Sequence, residues 1–305
     1  MKIRRAQKPP FATVVFSIIA LVAAGCGNGT QTSTGTSPTP AASEPGAVSA
    51  VAAQVPGSVK AKGTLTVAAD ATYAPNEFIG TDGHTVVGLD ADLAKALGQV
   101  LGLKVSMINA TFDTIIPGLA SGKYDLGISS FTDTKEREKT VDFVTYFVAG
   151  TSFYVKSSGG PNITSLADLC GRTVAAEKGT TQQADAQDQA AKCKSAGKPG
   201  VKVQVYNDQN AVNLALSSGR AQAAMADSPV ADYQVKQSNG TFKVSGSPYG
   251  TAPYGIAIPK NSGMVDPVLA AVKQVMADGT YTKILGKWGV QGGAISNPAI
   301  NAAIS

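Results

Sequence analysis

The sequence predicts an α/β protein made of two similar units with mostly parallel sheets. Two observations carry this prediction. Short apolar strands alternate with stretches of helical apolar spacing through the middle of the 305-residue chain, as expected where parallel strands are joined by crossover helices. The chain also repeats itself weakly. Leu119-Ala-Ser-Gly-Lys-Tyr-Asp-Leu-Gly-Ile-Ser129 aligns with Leu216-Ser-Ser-Gly-Arg-Ala-Gln-Ala-Ala-Met-Ala226, and Thr66-Val-Ala-Ala-Asp70 aligns with Thr173-Val-Ala-Ala-Glu177. Each copy of the longer segment reads as a helix end, a Ser-Gly stop, a basic residue and a strand.

The elements follow in order. Residues 65–69 form a short buried strand. Residues 90–101 form a helix, because Leu89, Leu93, Ala96, Leu97 and Val100 recur at helical spacing. A strand is expected over 104–108, a helix over 112–120 ended by Ser121-Gly122, and a strand over 124–129. The same alternation resumes after residue 165. In open α/β sheets ligands sit beyond the carboxyl ends of strands. Asp70 and Glu177 hold equivalent strand ends, and so do Ser129-Ser130 and Ala226-Asp227. If the two units face each other, these four ends converge on one cleft, a favoured place for a ligand. The plainer reading of Asp70 and Glu177 is a helix cap or a solvated loop acid.

Residues 1–25 read as an export signal: a basic stretch with Lys2, Arg4, Arg5 and Lys8, then an apolar stretch too short for a comfortable membrane span. The formal charge is +5, so these four residues leave the remainder at +1. A basic nucleic-acid-binding surface is therefore not implied. The single histidine argues against a His-based metal site or a Ser-His-Asp triad. The signal ends in Leu21-Val22-Ala23-Ala24-Gly25-Cys26, small residues before a cysteine. This is the pattern of a lipobox whose thiol takes a diacylglycerol as a thioether; the alternative is a plain secretory signal with a chance cysteine. Residues 26–61 are rich in Gly, Ser, Thr, Pro and Ala and read as a disordered tether. With Cys26 committed to lipid, Cys170 and Cys193 are left as an even pair in an oxidising location and are expected to form a disulfide. The alternative is two buried thiols.

Eight segments, in order, resemble the extracellular solute-binding proteins of ABC importers, specifically the polar amino-acid-binding family. They are Ala69-Asp70-Ala71-Thr72-Tyr73-Ala74-Pro75, Gly88-Leu89-Asp90-Ala91-Asp92-Leu93, Phe112-Asp113-Thr114-Ile115-Ile116-Pro117-Gly118-Leu119, and Ser129-Ser130-Phe131-Thr132-Asp133-Thr134-Lys135-Glu136-Arg137. Further along come Lys178-Gly179-Thr180-Thr181-Gln182, Ala226-Asp227-Ser228-Pro229, Tyr254-Gly255-Ile256-Ala257-Ile258-Pro259-Lys260 and Asp278-Gly279-Thr280-Tyr281. The resemblance implies a two-lobed type II fold of the periplasmic-binding-protein kind, hinged on two crossover strands near 148–153 and 249–255. Lobe 1 is expected to comprise 62–150 plus 252–290, lobe 2 to comprise 151–251, and 291–305 to be a C-terminal tail.

The resemblance also implies a division of labour. Arg137 would clamp the α-carboxylate of an amino acid, helped by Thr132, Thr181 and Gln182. A planar guanidinium suits that task because it donates two parallel hydrogen bonds and keeps its charge. Asp227 would hold the ammonium, with Ser130 offering a carbonyl and Ser129 beside it. Tyr73 and Phe112 would sandwich the ligand's side chain. Asp70 would sit at the far end of the pocket with Glu177 near it, and two carboxylates there would attract a cation. Arginine, lysine, ornithine or histidine is therefore the favoured ligand. Asn76 stands where relatives often carry an aromatic residue, which keeps glutamine possible. His84, in a turn, is expected to be a bystander. The implied partners are an L-amino acid, ABC permease subunits and the membrane through the lipid anchor, with no nucleic acid, cofactor or metal. The implied place is extracytoplasmic. The expected role is binding without covalent change. The alternatives are a prephenate or arogenate dehydratase of the same fold, and a ligand-sensing module.

Overall fold

A computed structural model describes residues 50–304. The export signal, Cys26 and the first part of the tether lie outside the described residues. Within them the principal sheet has eight strands in the order β5-β1-β6-β11-β7-β10-β8-β9. Two long antiparallel strands form its middle, β7 (Val141–Lys156) and β11 (Phe242–Pro259). On one side lie β6 (Leu126–Gly127), β1 (Thr64–Ala69) and β5 (Lys104–Asn109), with β1 parallel to both neighbours. On the other side lie β10 (Ala223–Asp227), β8 (Thr173–Glu177) and β9 (Lys202–Tyr206), with β8 parallel to both neighbours. The aligned segments thus occupy matching places in the two halves. β2 (Thr72–Tyr73), β3 (Glu77–Ile79) and β4 (Val86–Val87) form a separate small antiparallel sheet.

The two central strands serve both halves. Residues 141–149 of β7 pair with 252–259 of β11, and residues 151–156 pair with 242–249. Register breaks between Ser245 and Tyr249, and between Tyr249 and Ala252, separate the two zones. A break in a ladder lets a strand bend and twist locally, which suits a strand that must leave one half and enter the other.

The helices pack as their apolar spacing requires. α1 is Gly57–Lys62. α2 (Leu89–Leu101) buries Leu89, Leu93, Ala96, Leu97 and Val100 and ends on Gly102 in the left-handed conformation. α3 (Phe112–Ala120) precedes β6 and α4 (Lys135–Glu138) precedes β7. The second half carries α5 (Thr181–Ser195), α6 (Gln209–Ser217) and α7 (Ser228–Gln237). α8 (Val265–Ala277) and α9 (Thr280–Trp288) return to pack on α2, where Val268, Val272, Tyr281 and Leu285 complete the largest apolar core.

Three sequence expectations are corrected. The tether does not run to residue 61: Val51 and Val55, just before α1, are buried in the core, and α1 is folded, because these two valines find apolar surface to cover. The strand expected over 124–129 is only two residues long. After Gly127 the backbone leaves the ladder, Ser130 takes a left-handed conformation (φ 48°), and both serines bind side chains instead of a neighbouring strand. Residues 291–305 are not a free tail as far as residue 303. The backbones of Ala299 and Asn301 bond to β7, and the N–H groups of Ala302 and Ala303 donate to Asp133 and Glu138. Cys170 and Cys193 are joined as a disulfide, with Cα atoms 5.6 Å apart. It fastens the start of the second half to α5.

Candidate ligand-binding cleft

The strand ends meet as the repeat implied. One cavity between the halves is lined by Asp70, Tyr73, Phe112, Ser129, Ser130, Thr132, Arg137, Glu177, Thr180, Thr181, Gln182 and Asp227. All eleven residues singled out for a ligand-contacting role from sequence are there, and Thr180 is the addition. The cavity holds about 290 Å³ of non-atom space, its mouth included.

Asp70 follows the last residue of β1. One carboxylate oxygen accepts from the Thr72 hydroxyl (2.6 Å) and the other from the backbone N–H of Phe112 (3.0 Å). The latter is a first-turn N–H of α3 with no intrahelical acceptor, so Asp70 caps that helix as well as facing the cavity. Burial raises its carboxyl above the usual range, against the lowering effect of those two donors. Glu177 ends β8 and is 2% exposed. Burial pushes its carboxyl well above the usual range, and the charges of Asp70 and Asp208 add to the shift. Its Oε1 is buried with no hydrogen-bond partner.

Arg137 lies in α4. Its guanidinium donates to the carbonyl of Thr132 (2.7 Å) and to that of Gly179 (3.0 Å), reaching from the first half to the second. It also lies over the rings of Phe112 and Phe131, at 5.3 and 5.5 Å from their centroids, and these rings stack on each other. Burial draws its pKa down to about 10. Among the described residues no carboxylate forms an ion pair with it within 4 Å. A guanidinium has five N–H donors, so this one retains donors after serving two carbonyls.

Asp227 ends β10. Its Oδ1 accepts from the Gln182 amide (2.7 Å), and its backbone N–H donates to the Tyr73 hydroxyl (2.9 Å). Burial raises its carboxyl to about 6, moderated by these neighbours and by the charge of Arg137. Thr181 and Gln182 open α5, whose cap is Thr180: its hydroxyl accepts from the backbone of Gln183. The unsatisfied first-turn N–H groups of this 15-residue helix favour an anion. Gly179 precedes the cap with φ 80°, and a Cβ there would come within 2.9 Å of Asp113. Only glycine allows that approach without a shift.

The charges are therefore segregated. Arg137 and Asp227 act on each other, Asp70 acts on Glu177, and Asp227 is felt by both Arg137 and Glu177. Asn76 is buried behind Ser130, donating to its hydroxyl, and does not line the cavity, so the argument it lent to a neutral ligand lapses. His84 lies in an exposed turn against Asp82, away from the cavity.

Two α/β halves on a shared pair of long strands, with a closed polar cavity between them, define the two-lobed type II class of binding proteins. Comparison with known proteins narrows the class. Residues 65–291 match the model of the bacterial extracellular solute-binding proteins, family 3, and the chain belongs to that family. It is 32% identical over 258 residues to the arginine-binding protein ArgT of Corynebacterium glutamicum, covering 84% of each chain. An ancestral arginine-binding protein solved with arginine superposes with a TM-score of 0.68 at 41% identity, covering 74% of this chain and 98% of that one. The same kind of ancestral protein solved with glutamine gives 0.69 at 40% identity, covering 75% and 98%.

Proposed function

We propose that this binding protein captures a cationic L-amino acid, arginine foremost, in the interlobe cavity and delivers it to an ABC permease. The observation that carries the ligand class is the buried Asp70–Glu177 pair with an unpartnered Glu177 oxygen and no ion-paired cation among the described residues. Two buried carboxylates, one of which raises the other's pKa, are stabilised by a cation placed between them. The arginine-binding relatives support the same ligand. In this reading the remaining donors of Arg137 and the first turn of α5 hold the α-carboxylate, and Asp227 holds the ammonium. The ligand's guanidinium lies at Asp70 and Glu177.

Lobe 1 then comprises 50–150 plus 252–303, with Val51, Val55 and the bonded residues 299–303 included, and lobe 2 comprises 151–251. A ligand touching both favours the closed arrangement because only that arrangement makes both sets of contacts. The closed form is what the permease would receive. Lipidation at Cys26 would keep the domain at the outer face of the membrane. Nothing in the cavity calls for covalent chemistry: an α-amino-acid clamp is not what a dehydratase of prephenate needs, since that acid has no ammonium. Calorimetric titration of the purified protein with arginine, lysine, ornithine, histidine, glutamine and glutamate tests the reading. Arginine is expected to bind tightest and glutamate not at all. Glutamine binding tighter than every cation would refute the role given to Asp70 and Glu177.

A further inference from the structure

A second pair of carboxyl groups lies behind the cavity and belongs to none of the roles above. Glu77 on β3 is 1% exposed and Asp90, the second residue of α2, is 0% exposed. They interact with each other directly. Among the described residues neither forms an ion pair with a Lys, Arg or His. The other titratable groups facing them are the hydroxyls of Tyr146 on β7 and Tyr73 on β2, both pushed by burial to even less acidic values. Two adjacent buried carboxylates with no cation cannot both be ionised near neutral pH; one proton must be held between them.

The hydrogen bonds say which carboxyl carries it. Asp90 accepts from the Tyr146 hydroxyl on Oδ1 (2.8 Å) and from the backbone N–H of Ser130 on Oδ2 (2.8 Å). It also sits in the first turn of a 13-residue helix, where negative charge is favoured. Glu77 accepts only the hydroxyls of Ser129 (3.0 Å) and Ser130 (3.1 Å). Asp90 is thus the anion and Glu77 the acid that donates to it.

The purpose of the pair lies in what it grips. Ser129 and Ser130 line the cavity. Ser130 is a non-glycine residue held at φ 48°, a conformation that costs energy unless its surroundings impose it. Its N–H goes to Asp90, its hydroxyl goes to Glu77, and the Asn76 amide donates to that hydroxyl. The Ser129 hydroxyl meanwhile accepts the N–H of Asp70, so the grip extends to the residue at the cation end. We propose that Glu77 and Asp90, sharing one proton, are positioning residues that hold Ser129 and Ser130 in place as part of the ligand cavity.

The proposal separates two isosteric variants. In Glu77→Gln an amide N–H replaces the acid proton toward Asp90, and the amide oxygen still accepts a serine hydroxyl. In Asp90→Asn an amide replaces the anion, so one of its two donors faces another donor. The affinity arm uses L-arginine and rests on the function proposed above; the other two arms do not. By infrared spectroscopy at neutral pH, Glu77→Gln should lose one protonated-carboxyl C=O band that the wild type shows. By thermal melting without ligand, Glu77→Gln should show a shallower fall in stability with rising pH, by about one proton's worth. The sign follows because a raised carboxyl contributes stability that is fully present below its unfolded value of about 4.3 and lost as pH rises through the folded value. At pH 7, Glu77→Gln should bind L-arginine within about threefold of wild type, and Asp90→Asn at least about tenfold more weakly, a loss of about 1.4 kcal/mol. An unchanged carboxyl band in Glu77→Gln overturns the shared proton. Equal losses of affinity in the two variants overturn the assignment of acid and anion. If Asp90→Asn does not fold, the band and the melting slope of Glu77→Gln still decide. If wild type does not bind L-arginine, the ligand proposal fails while those two readouts stand.

Discussion

With Asp227 holding the ligand's ammonium, as proposed, the demands of folding and of ligand binding oppose each other at this residue. Its carboxyl is raised to about 6 by burial in the ligand-free protein. The stability it contributes is therefore present below its unfolded value of about 3.9 and lost as pH rises through about 6. A ligand ammonium needs the anion, so affinity should rise over that same window. Titrations across the acid range should show arginine affinity falling by up to about tenfold per pH unit below about 6, and Asp227→Asn should bind weakly with a flatter profile. Arg137 is the complementary case. Two charge-assisted hydrogen bonds contribute about 1.5–3 kcal/mol each, so Arg137→Ala should weaken every α-amino acid by about a hundredfold or more. Asp70→Asn should instead change the ranking between arginine and glutamine. Equal loss for both ligands in Asp70→Asn would place it outside the specificity determinants. These residues were legible because each stands at a strand end or in a short motif. Glu77 was not, since a buried acid in a three-residue strand shows no periodicity and its partners are distant in sequence.

At the scale of elements, spacing located the regular helices and chemistry displaced the rest. α2 and α3 begin and end close to where apolar periodicity and the Ser-Gly stop put them. β6 is short because hydrogen bonds from Ser129 and Ser130 to Glu77 and Asp90 replace ladder bonds. The contribution of Val51 and Val55 to the core was masked by the Ala, Gly and Pro around them. The disulfide is the element whose effect can be read most simply. It closes a span of 23 residues across the start of the second half and α5. A cross-link of that length removes about 3 kcal/mol of chain freedom from the unfolded state. The double variant Cys170→Ala/Cys193→Ala should therefore lower unfolding free energy by about that amount in urea titration. Its arginine affinity should change little, because neither cysteine lines the cavity.

For the whole molecule, the mirrored order of strands explains why four strand ends meet. Each half places its central parallel strand, β1 or β8, so that Asp70 or Glu177 emerges at the same cleft. The repeat made this convergence readable from sequence. The sheet's continuity through β7 and β11 was readable only through the family resemblance, because length and apolarity alone do not show that a strand serves two halves. Among the described residues the contacts between the halves include Arg137 to Gly179, Lys178 to Asp113 (2.8 Å), the N–H of Asp227 to the Tyr73 hydroxyl, the N–H of Gln209 to the Thr72 hydroxyl, and the rings of Phe78 and Tyr233. The exposed Lys178–Asp113 pair is worth only about 0–1 kcal/mol, and a ligand that touches both halves, as proposed, would add contacts that only the closed arrangement makes. In the proposed reading the charge at the far end of the cavity decides what is captured. Arginine and citrulline differ there by a guanidinium against a neutral urea of the same shape, so their side-by-side calorimetric titration isolates that charge. Arginine should bind at least about a hundredfold tighter, about 2.7 kcal/mol. Citrulline binding as tightly as arginine would contradict the cation site formed by Asp70 and Glu177.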